Sequence, residues 1–246
     1  MAPGRSFDAE AVEGALRGHS IIELKGLFRR SSNYTFLVEL CGADARSPML
    51  AVYKPAEGES PLWDFPSGTL CQREVATYEL SDALGWGLVP PTVLRDGPLG
   101  VGMVQRFVDH DPEEHYFTLL EEHADRFRQF AAFDVLVNNA DRKGGHCIRS
   151  RPDGAIVGID HGLTFHRAWK LRTVIWDFAG EAVAPRLADD VCRVAVDVNG
   201  PLGARLTPLV STLEVDAVRE RANELVAAGR LPDPDPGYHS LPWPLV

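Results

Sequence analysis

Lysine is scarce in this chain. Of its 25 basic residues only four, Lys25, Lys54, Lys143 and Lys170, are lysines, and the remainder are arginines. In such a background each ammonium group is of interest, because a compact point charge on a flexible stem does different chemistry from a planar guanidinium. No stretch approaches the roughly 18 consecutive apolar residues of a membrane-spanning helix. The opening MAPGRSFDAEAVEG has no apolar core of the kind a signal peptide carries. The four cysteines, Cys41, Cys71, Cys147 and Cys192, are widely spaced with no C-x-x-C, which argues for reduced thiols rather than a disulfide framework or a zinc site. The expected compartment is the cytoplasm. Positive charge is also in deficit. A net charge of −10 counts against nucleic-acid binding and against adhesion to anionic lipid. No internal repeat or low-complexity tract is present.

What remains is an ordinary globular composition, 45% apolar and 24% charged. A chain of this length buries roughly 70–75% of its unfolded surface, enough for one large domain or two lobes. The pattern predicts a short helix over 7–18, started by Ser6 or Asp8 and stopped by Gly18. Strands are expected in SIIELKGLF, YTFLVELC, MLAVYKP and VGMVQRFVD. SGTLCQREVATYELSDALG reads as a helix with Ser67 as its cap and apolar spacing at Leu70, Val75, Tyr78 and Leu84. Asp111-Pro112 opens helical material that runs to Asn138, in two pieces broken near His123. Further helices are expected over 181–196 and 201–229, with Ser211-x-x-Glu214 as a capping box and Gly229 as a stop. Residues 232–246 are too rich in proline for helix or central strand and are expected to dock through Trp243 and Leu245.

One stretch carries more chemistry than the rest. The apolar run FAAFDVLVN gives way to a polar loop holding Asp141, Arg142, Lys143 and His146. A strand, the turn Arg151-Pro152-Asp153-Gly154 and a second strand, AIVGI, then deliver Asp160. Proline presets φ and glycine accepts positive φ, so the turn predicts a hairpin that brings Asp141 and Asp160 together. Two neighbouring carboxylates repel each other unless a cation or a proton intervenes, and a divalent metal carrying a polyphosphate is a fitting third party. Taken singly, each of these aspartates reads as solvated loop. Lys54 reads as a strand-edge charge and Glu74 as a helix surface charge.

The segments Asn138-x-x-Asp141-Arg142 and Ile159-Asp160-His161-Gly162-Leu163-x-Phe165 resemble the catalytic and metal-binding loops of the phosphatidylinositol 3-/4-kinase-like superfamily, above all its type II phosphatidylinositol 4-kinases. They also resemble an actinobacterial family of kinase-like proteins. The resemblance covers about residues 20–180 and implies a two-lobed α+β fold of the protein-kinase-like kind. A β-rich N-lobe would span 1–109, with the hinge at its end, and a helical C-lobe would span 110–246. ATP with Mg²⁺ or Mn²⁺ would sit between them. Asp141 would be the catalytic aspartate. Arg142 and Lys143 would offset phosphoryl charge or hold an anionic acceptor. Asp160 would bind metal together with His146, which stands where the family has asparagine. Ser31, Ser32 and Asn33 would form the phosphate loop, without its usual glycine. Lys54 would grip phosphates and pair with Glu74. Gln105, Phe107 and Val108 would line the adenine site, with backbone groups near Phe107 and Val108 bonding its edge.

The expected function is transfer of the γ-phosphate of ATP to an unidentified hydroxyl acceptor: a small polar molecule, a lipid head group or a protein. Two other classes stay open. One is a nucleotide-binding pseudokinase acting as a regulatory scaffold. The other is a metal-dependent hydrolase built on Asp141, His146, Asp160 and His161, which predicts tight transition-metal binding without nucleotide and which a wide, loop-rich separation of Lys54 from that cluster would also favour. The oligomeric state is open.

Overall fold

The structure is a computed structural model that describes residues 7–27, 33–42 and 48–246. The expected phosphate-loop residues Ser31 and Ser32 lie outside the described residues. Helix α1 (Phe7–Gly18) leads into strands β1 (Ser20–Leu27), β2 (Phe36–Cys41) and β3 (Met49–Pro55), then helix α2 (Leu70–Leu84) and strands β4 (Thr92–Gly97) and β5 (Gly100–Arg106). These strands form one antiparallel sheet in the order β1-β2-β3-β5-β4. Alternation along β2 and β3 sends Val38, Leu40, Ala51 and Tyr53 to one face, where they meet Leu16 of α1, Val93 and Val104 in a small core. Arg95 on β4 donates to the carbonyls of Leu16 (2.8 Å) and His19 (2.6 Å), satisfying the end of α1 and fastening it to the sheet.

The second half is mainly helical. A short α3 (Tyr116–Leu119) and α4 (Ala124–Val137) are broken at His123, as the sequence predicts, although Asp111-Pro112 forms turns before the first helix rather than its opening. A hairpin of β6 (Cys147–Arg149) and β7 (Ile156–Gly158) follows, then α5 (Pro185–Asp197), α6 (Pro201–Leu206) and α7 (Thr212–Ala228). The expected single helix over 201–229 is therefore two. Pro208 has no N–H to continue the first, and the Ser211 N–H donating to the Glu214 carboxylate (2.9 Å) starts the second. Gly229 ends α7 at φ 63°, a conformation that costs glycine nothing. The resulting architecture is mixed α+β, an antiparallel sheet with helices. No described helix is long and apolar enough to cross a membrane.

Helix α2 departs most from expectation. Its sequence suggests a surface helix with one apolar stripe, yet 12 of its 15 residues are buried. It lies between the sheet and the helical half, with Val75 packed beside Met103 of the sheet and Ala76, Tyr78 and Leu80 in the helical core. Ser67 does not cap it. The cap position belongs to Thr69, and the Glu59 carboxylate accepts from the Cys71 N–H at 2.8 Å. A helix buried on all sides needs a partner for every charge it carries. Arg73 pairs with Glu214 of α7 at 2.7 Å, Glu79 with Arg205 of α6 at 2.9 Å, and Glu74 with Lys54 of β3 at 2.6 Å. Arg73 is also held by the Thr164 carbonyl at 2.7 Å.

Glu214→Ala would strand the buried Arg73 guanidinium. Removing one partner of such a pair costs about 3–5 kcal/mol, so chemical denaturation should show a loss of that order. Glu220→Ala, on an exposed face of the same helix, should cost less than about 0.5 kcal/mol.

Candidate active site

The chemistry-bearing residues converge where β3, α2, the loop after α4 and the end of β7 meet. The Lys54 ammonium lies 2.6 Å from Glu74 Oε1 and 2.8 Å from Asp160 Oδ1. Burial works against the ammonium, but Asp160 and Glu74 together outweigh it and hold the Lys54 pKa above its ordinary value. The Lys54 charge in turn presses the Asp160 carboxyl well below the usual carboxylate range against the opposing effect of burial. Glu74 goes the other way. Burial raises its pKa more than Lys54 lowers it, and the charge of Asp160 adds to the rise. Asp160 sits at φ 59°, in the left-handed region that aspartate tolerates better than most residues. The wide separation that would have favoured a hydrolase is absent. Lys54 and Asp160 are in contact.

The loop after α4 is fixed by a buried network that the sequence pattern does not announce. Asn138 closes α4 at φ 51°, and its side-chain amide donates to the carbonyls of His166 and Ala168, both at 2.7 Å, while accepting from the Lys170 N–H. The Arg142 guanidinium is wholly enclosed. It grips Asp134 through Nε and Nη2 at 2.9–3.1 Å, packs over the Phe130 ring and donates to His161 Nε2 at 2.8 Å. The Arg142 backbone pairs with residues 172–174, accepting from Val174 and donating to Arg172. The expectation that Arg142 would meet a phosphoryl group or an acceptor is therefore corrected. Its side chain is spent on Asp134 and positions the loop. Asp134, a carboxylate inside the apolar run FAAFDVLVN, was the signal for this pairing, since a charge at a buried helix position requires a partner.

Asp141 remains available. Burial raises its carboxyl pKa, Lys143 at 3.1 Å opposes that rise, and the charge of Asp160 adds to it. The charge of Asp160 is thus felt at Asp141. The Ile159 N–H donating to the His146 carbonyl at 2.9 Å closes the hairpin below them. His146 Nε2 lies 3.5 Å from Asp160 Oδ2, and burial pushes the imidazole pKa down to about 4. His161, next along the chain, is a buried strut. Its N–H donates to Glu74 at 2.8 Å and its ring accepts from Arg142, joining the Lys54–Glu74 pair to the Arg142–Asp134 pair.

These donors fit a divalent cation in part. Asp160 offers oxygen, and the neutral His146 offers a nitrogen lone pair that Mn²⁺ accepts more readily than Mg²⁺. Among the described residues no three His, Cys, Asp or Glu side chains form a metal cage, so a cation here needs further oxygens from a phosphate or water. Beside these residues is a cavity of about 240 Å³, lined by Val52, Lys54, Gln105, Val108, Ile148 and Ile159 among others. Gln105 lines it while donating to Thr92 Oγ1 at 2.8 Å. The expectation for Phe107 needs correction at one atom, because its N–H is committed to the Leu50 carbonyl at 3.1 Å. The Val108 carbonyl already contacts the His110 ring at 2.9 Å. The Asn33 side chain accepts from the Ser60 N–H at 2.7 Å.

No protein-family profile matches the chain. It is 39% identical to Protein Rv2133c of Mycobacterium tuberculosis over 267 aligned positions, which span 94% of this chain and 95% of that protein. Among solved structures, the Helicobacter pylori proinflammatory kinase CtkA matches with a TM-score of 0.54 at 14% identity, covering 88% of this chain and 94% of that one. At that identity the likeness establishes a kinase-like fold.

His146 supplies a pH prediction for the metal-free protein. Its folded pKa of about 4 lies below the unfolded value of 6.5. Between those values the unfolded chain holds the extra proton, so stability rises with pH across that window and is lost on acidification. That difference corresponds to about 3 kcal/mol. His146→Asn should remove that share of the acid sensitivity between pH 6.5 and 4, measured by denaturation in the presence of a chelator.

Proposed function

The chain belongs to the family of the Mycobacterium tuberculosis protein Rv2133c, and we propose that it is an ATP- and metal-dependent phosphotransferase acting on a hydroxyl group. The sheet and the helical half would serve as two lobes with the nucleotide between them. One observation carries the reading: Lys54 touches both Glu74 and Asp160, at 2.6 and 2.8 Å, and the charge of Asp160 reaches Asp141 on the loop after α4. A strand lysine held by a helix glutamate, facing two loop aspartates, is the constellation that phosphoryl transfer from ATP requires. The fold shared with CtkA, a kinase by its description, supports the same class.

In this reading the 240 Å³ cavity takes the adenine end of the nucleotide. Its size suits a flat heterocycle, with the polyphosphate directed toward Lys54. Glu74 orients the ammonium so that it meets phosphate oxygens. Asp160 and His146 would hold a divalent cation, which supplies charge neutralisation for the phosphate oxygens. Asp141 orients the acceptor hydroxyl and takes its proton as the acceptor oxygen bonds to the γ-phosphorus. The bond to the bridging oxygen then breaks and ADP leaves. The raised pKa of Asp141 makes it a better proton acceptor than a solvated aspartate. Lys143, in contact with Asp141, is placed to offset charge on the transferring group.

A second reading, a nucleotide-binding scaffold without turnover, is favoured by His146 at the second metal position, since Mg²⁺ prefers oxygen. It predicts metal-dependent thermal stabilisation by ATP with no product on any acceptor. The hydrolase reading loses one of its two supports, because Lys54 lies in the same cluster; its other mark would be tight transition-metal binding without nucleotide.

Incubation with γ-labelled ATP, Mn²⁺ or Mg²⁺ and a metabolite extract tests the proposal. Asp141→Asn should reduce label transfer at least about 100-fold while leaving ATP affinity within a few-fold. Equal incorporation by that variant would remove Asp141 from the mechanism. Lys54→Met should instead weaken ATP binding as well as transfer.

A further inference from the structure

Residues 238–246 lie along the catalytic loop. The Ser240 carbonyl accepts from both the Thr173 N–H (3.1 Å) and Trp176 Nε1–H (3.0 Å). Arg172 donates to the Tyr238 hydroxyl at 2.9 Å and its guanidinium lies over the Tyr238 ring. Residues 172–174 are themselves paired with Arg142. Three backbone layers therefore stand side by side: the catalytic loop, 172–174 and 238–240. Further along, the segment turns onto the loop itself. The Leu245 carbonyl accepts from the Gly144 N–H at 2.7 Å, three residues from Asp141.

Gly144 makes that approach possible, and Gly145 beside it leaves ordinary contact room. A Cβ on Gly144 would meet the Phe117 ring at 2.8 Å and Leu245 O at 3.3 Å, and one on Gly145 would lie 3.6 Å from Val246 Cγ1. The backbones meet with no side chain between them. Pro242 is buried, whereas Leu241, Trp243, Leu245 and Val246 are exposed. The segment is held mainly by backbone hydrogen bonds and one proline, not by a deep apolar anchor. Lys143, which touches Asp141, is the residue immediately before Gly144 and stays partly exposed.

We infer that residues 241–246 are the acceptor-selecting wall of the site, standing beside Asp141 and Lys143 so that a small hydroxyl compound reaches them and a polypeptide does not. The inference rests on the phosphotransferase reading for the identity of the reaction, and it narrows the acceptor class within that reading. A segment anchored this lightly opens on a local scale, so selectivity is set by size and the wall can be loosened without disturbing the catalytic groups.

The test uses the 246-residue chain with Pro242→Gly, Leu245→Gly and Val246→Gly together, and Val246→Gly alone as a milder form. Both leave Asp141, Lys143 and the Tyr238 and Ser240 contacts in place. Access is read independently of turnover by acylating lysines with acetic anhydride and with a bulky biotin succinimidyl ester, scoring Lys143 against the exposed Lys25 in each chain. In the wild-type protein Lys143 should react with the small reagent and be shielded from the bulky one. In the triple variant the bulky-to-small ratio should rise at least about fivefold, with a similar acceleration of Gly144 amide exchange as the loosened segment carries the Leu245 carbonyl away from it more often. Transfer from γ-labelled ATP to a peptide mixture should rise with it, while transfer to small metabolites stays within about twofold. Equal access of both reagents to Lys143 in the wild-type chain would overturn the wall, as would peptide labelling that is unchanged once Gly144 exchanges freely. If neither chain transfers label to anything, the kinase reading falls, and the lysine access ratio still decides for or against the wall.

Discussion

A shared ammonium group is the constraint around which the molecule is built. Lys54 comes from the sheet, Glu74 from the buried helix α2 and Asp160 from the end of the β6–β7 hairpin, and each alone would be a costly buried or half-buried charge. Together they tie the sheet, the buried helix and the hairpin to one point. The cost of leaving any of them unpaired explains why α2 can lie buried on every side and still carry charges. The same logic operates a few ångströms away, where Arg142 and Asp134 neutralise each other inside the helical half. His161 joins the two pairs through Glu74 and Arg142. The loop after α4 is thereby held by interactions that do not consume Asp141.

This division of labour separates residues that touch substrate in the proposed reaction from residues that hold them. Asp141, Lys143, Lys54, Asp160 and His146 face the cavity or one another. Arg142, Asn138 and His161 do not, although their neighbours in the sequence do. The neutral His146 beside Asp160 gives the site a softer donor set than two oxygens would. That is a chemical reason for Mn²⁺ to serve it better than Mg²⁺, and one that belongs to this chain.

Much of the site was legible before the structure. The Pro-Asp-Gly turn specified the hairpin because proline and glycine dictate local backbone geometry, and the hairpin was enough to bring Asp141 and Asp160 into one neighbourhood. The pairing of Lys54 with Glu74 came from resemblance, not from spacing, and the geometry agrees with it. Other features depend on long-range packing and left weaker traces. The apolar spacing of α2 described one face, whereas the helix is enclosed on all of them by elements remote in sequence. The role of Arg142 was misread because its partner Asp134 lies in the preceding apolar run, where one carboxylate is easily passed over. The break between α6 and α7 had a readable sign in Pro208. The path of residues 238–246 had almost none, because backbone carbonyls hold it and any sequence provides those.

The scarcity of lysine makes the central claim directly measurable. An acyl-phosphate derivative of ATP delivers its acyl group to an amine that lies against the bound phosphates, and Lys25, Lys54, Lys143 and Lys170 are the only amine side chains of the sequence. If Lys54 faces a nucleotide polyphosphate, peptide mapping should find it acylated well above the level of Lys25 and Lys170, and excess ATP with Mn²⁺ should suppress that labelling. Acylation spread evenly over the exposed lysines, or labelling of Lys54 that ATP leaves unchanged, would contradict the account.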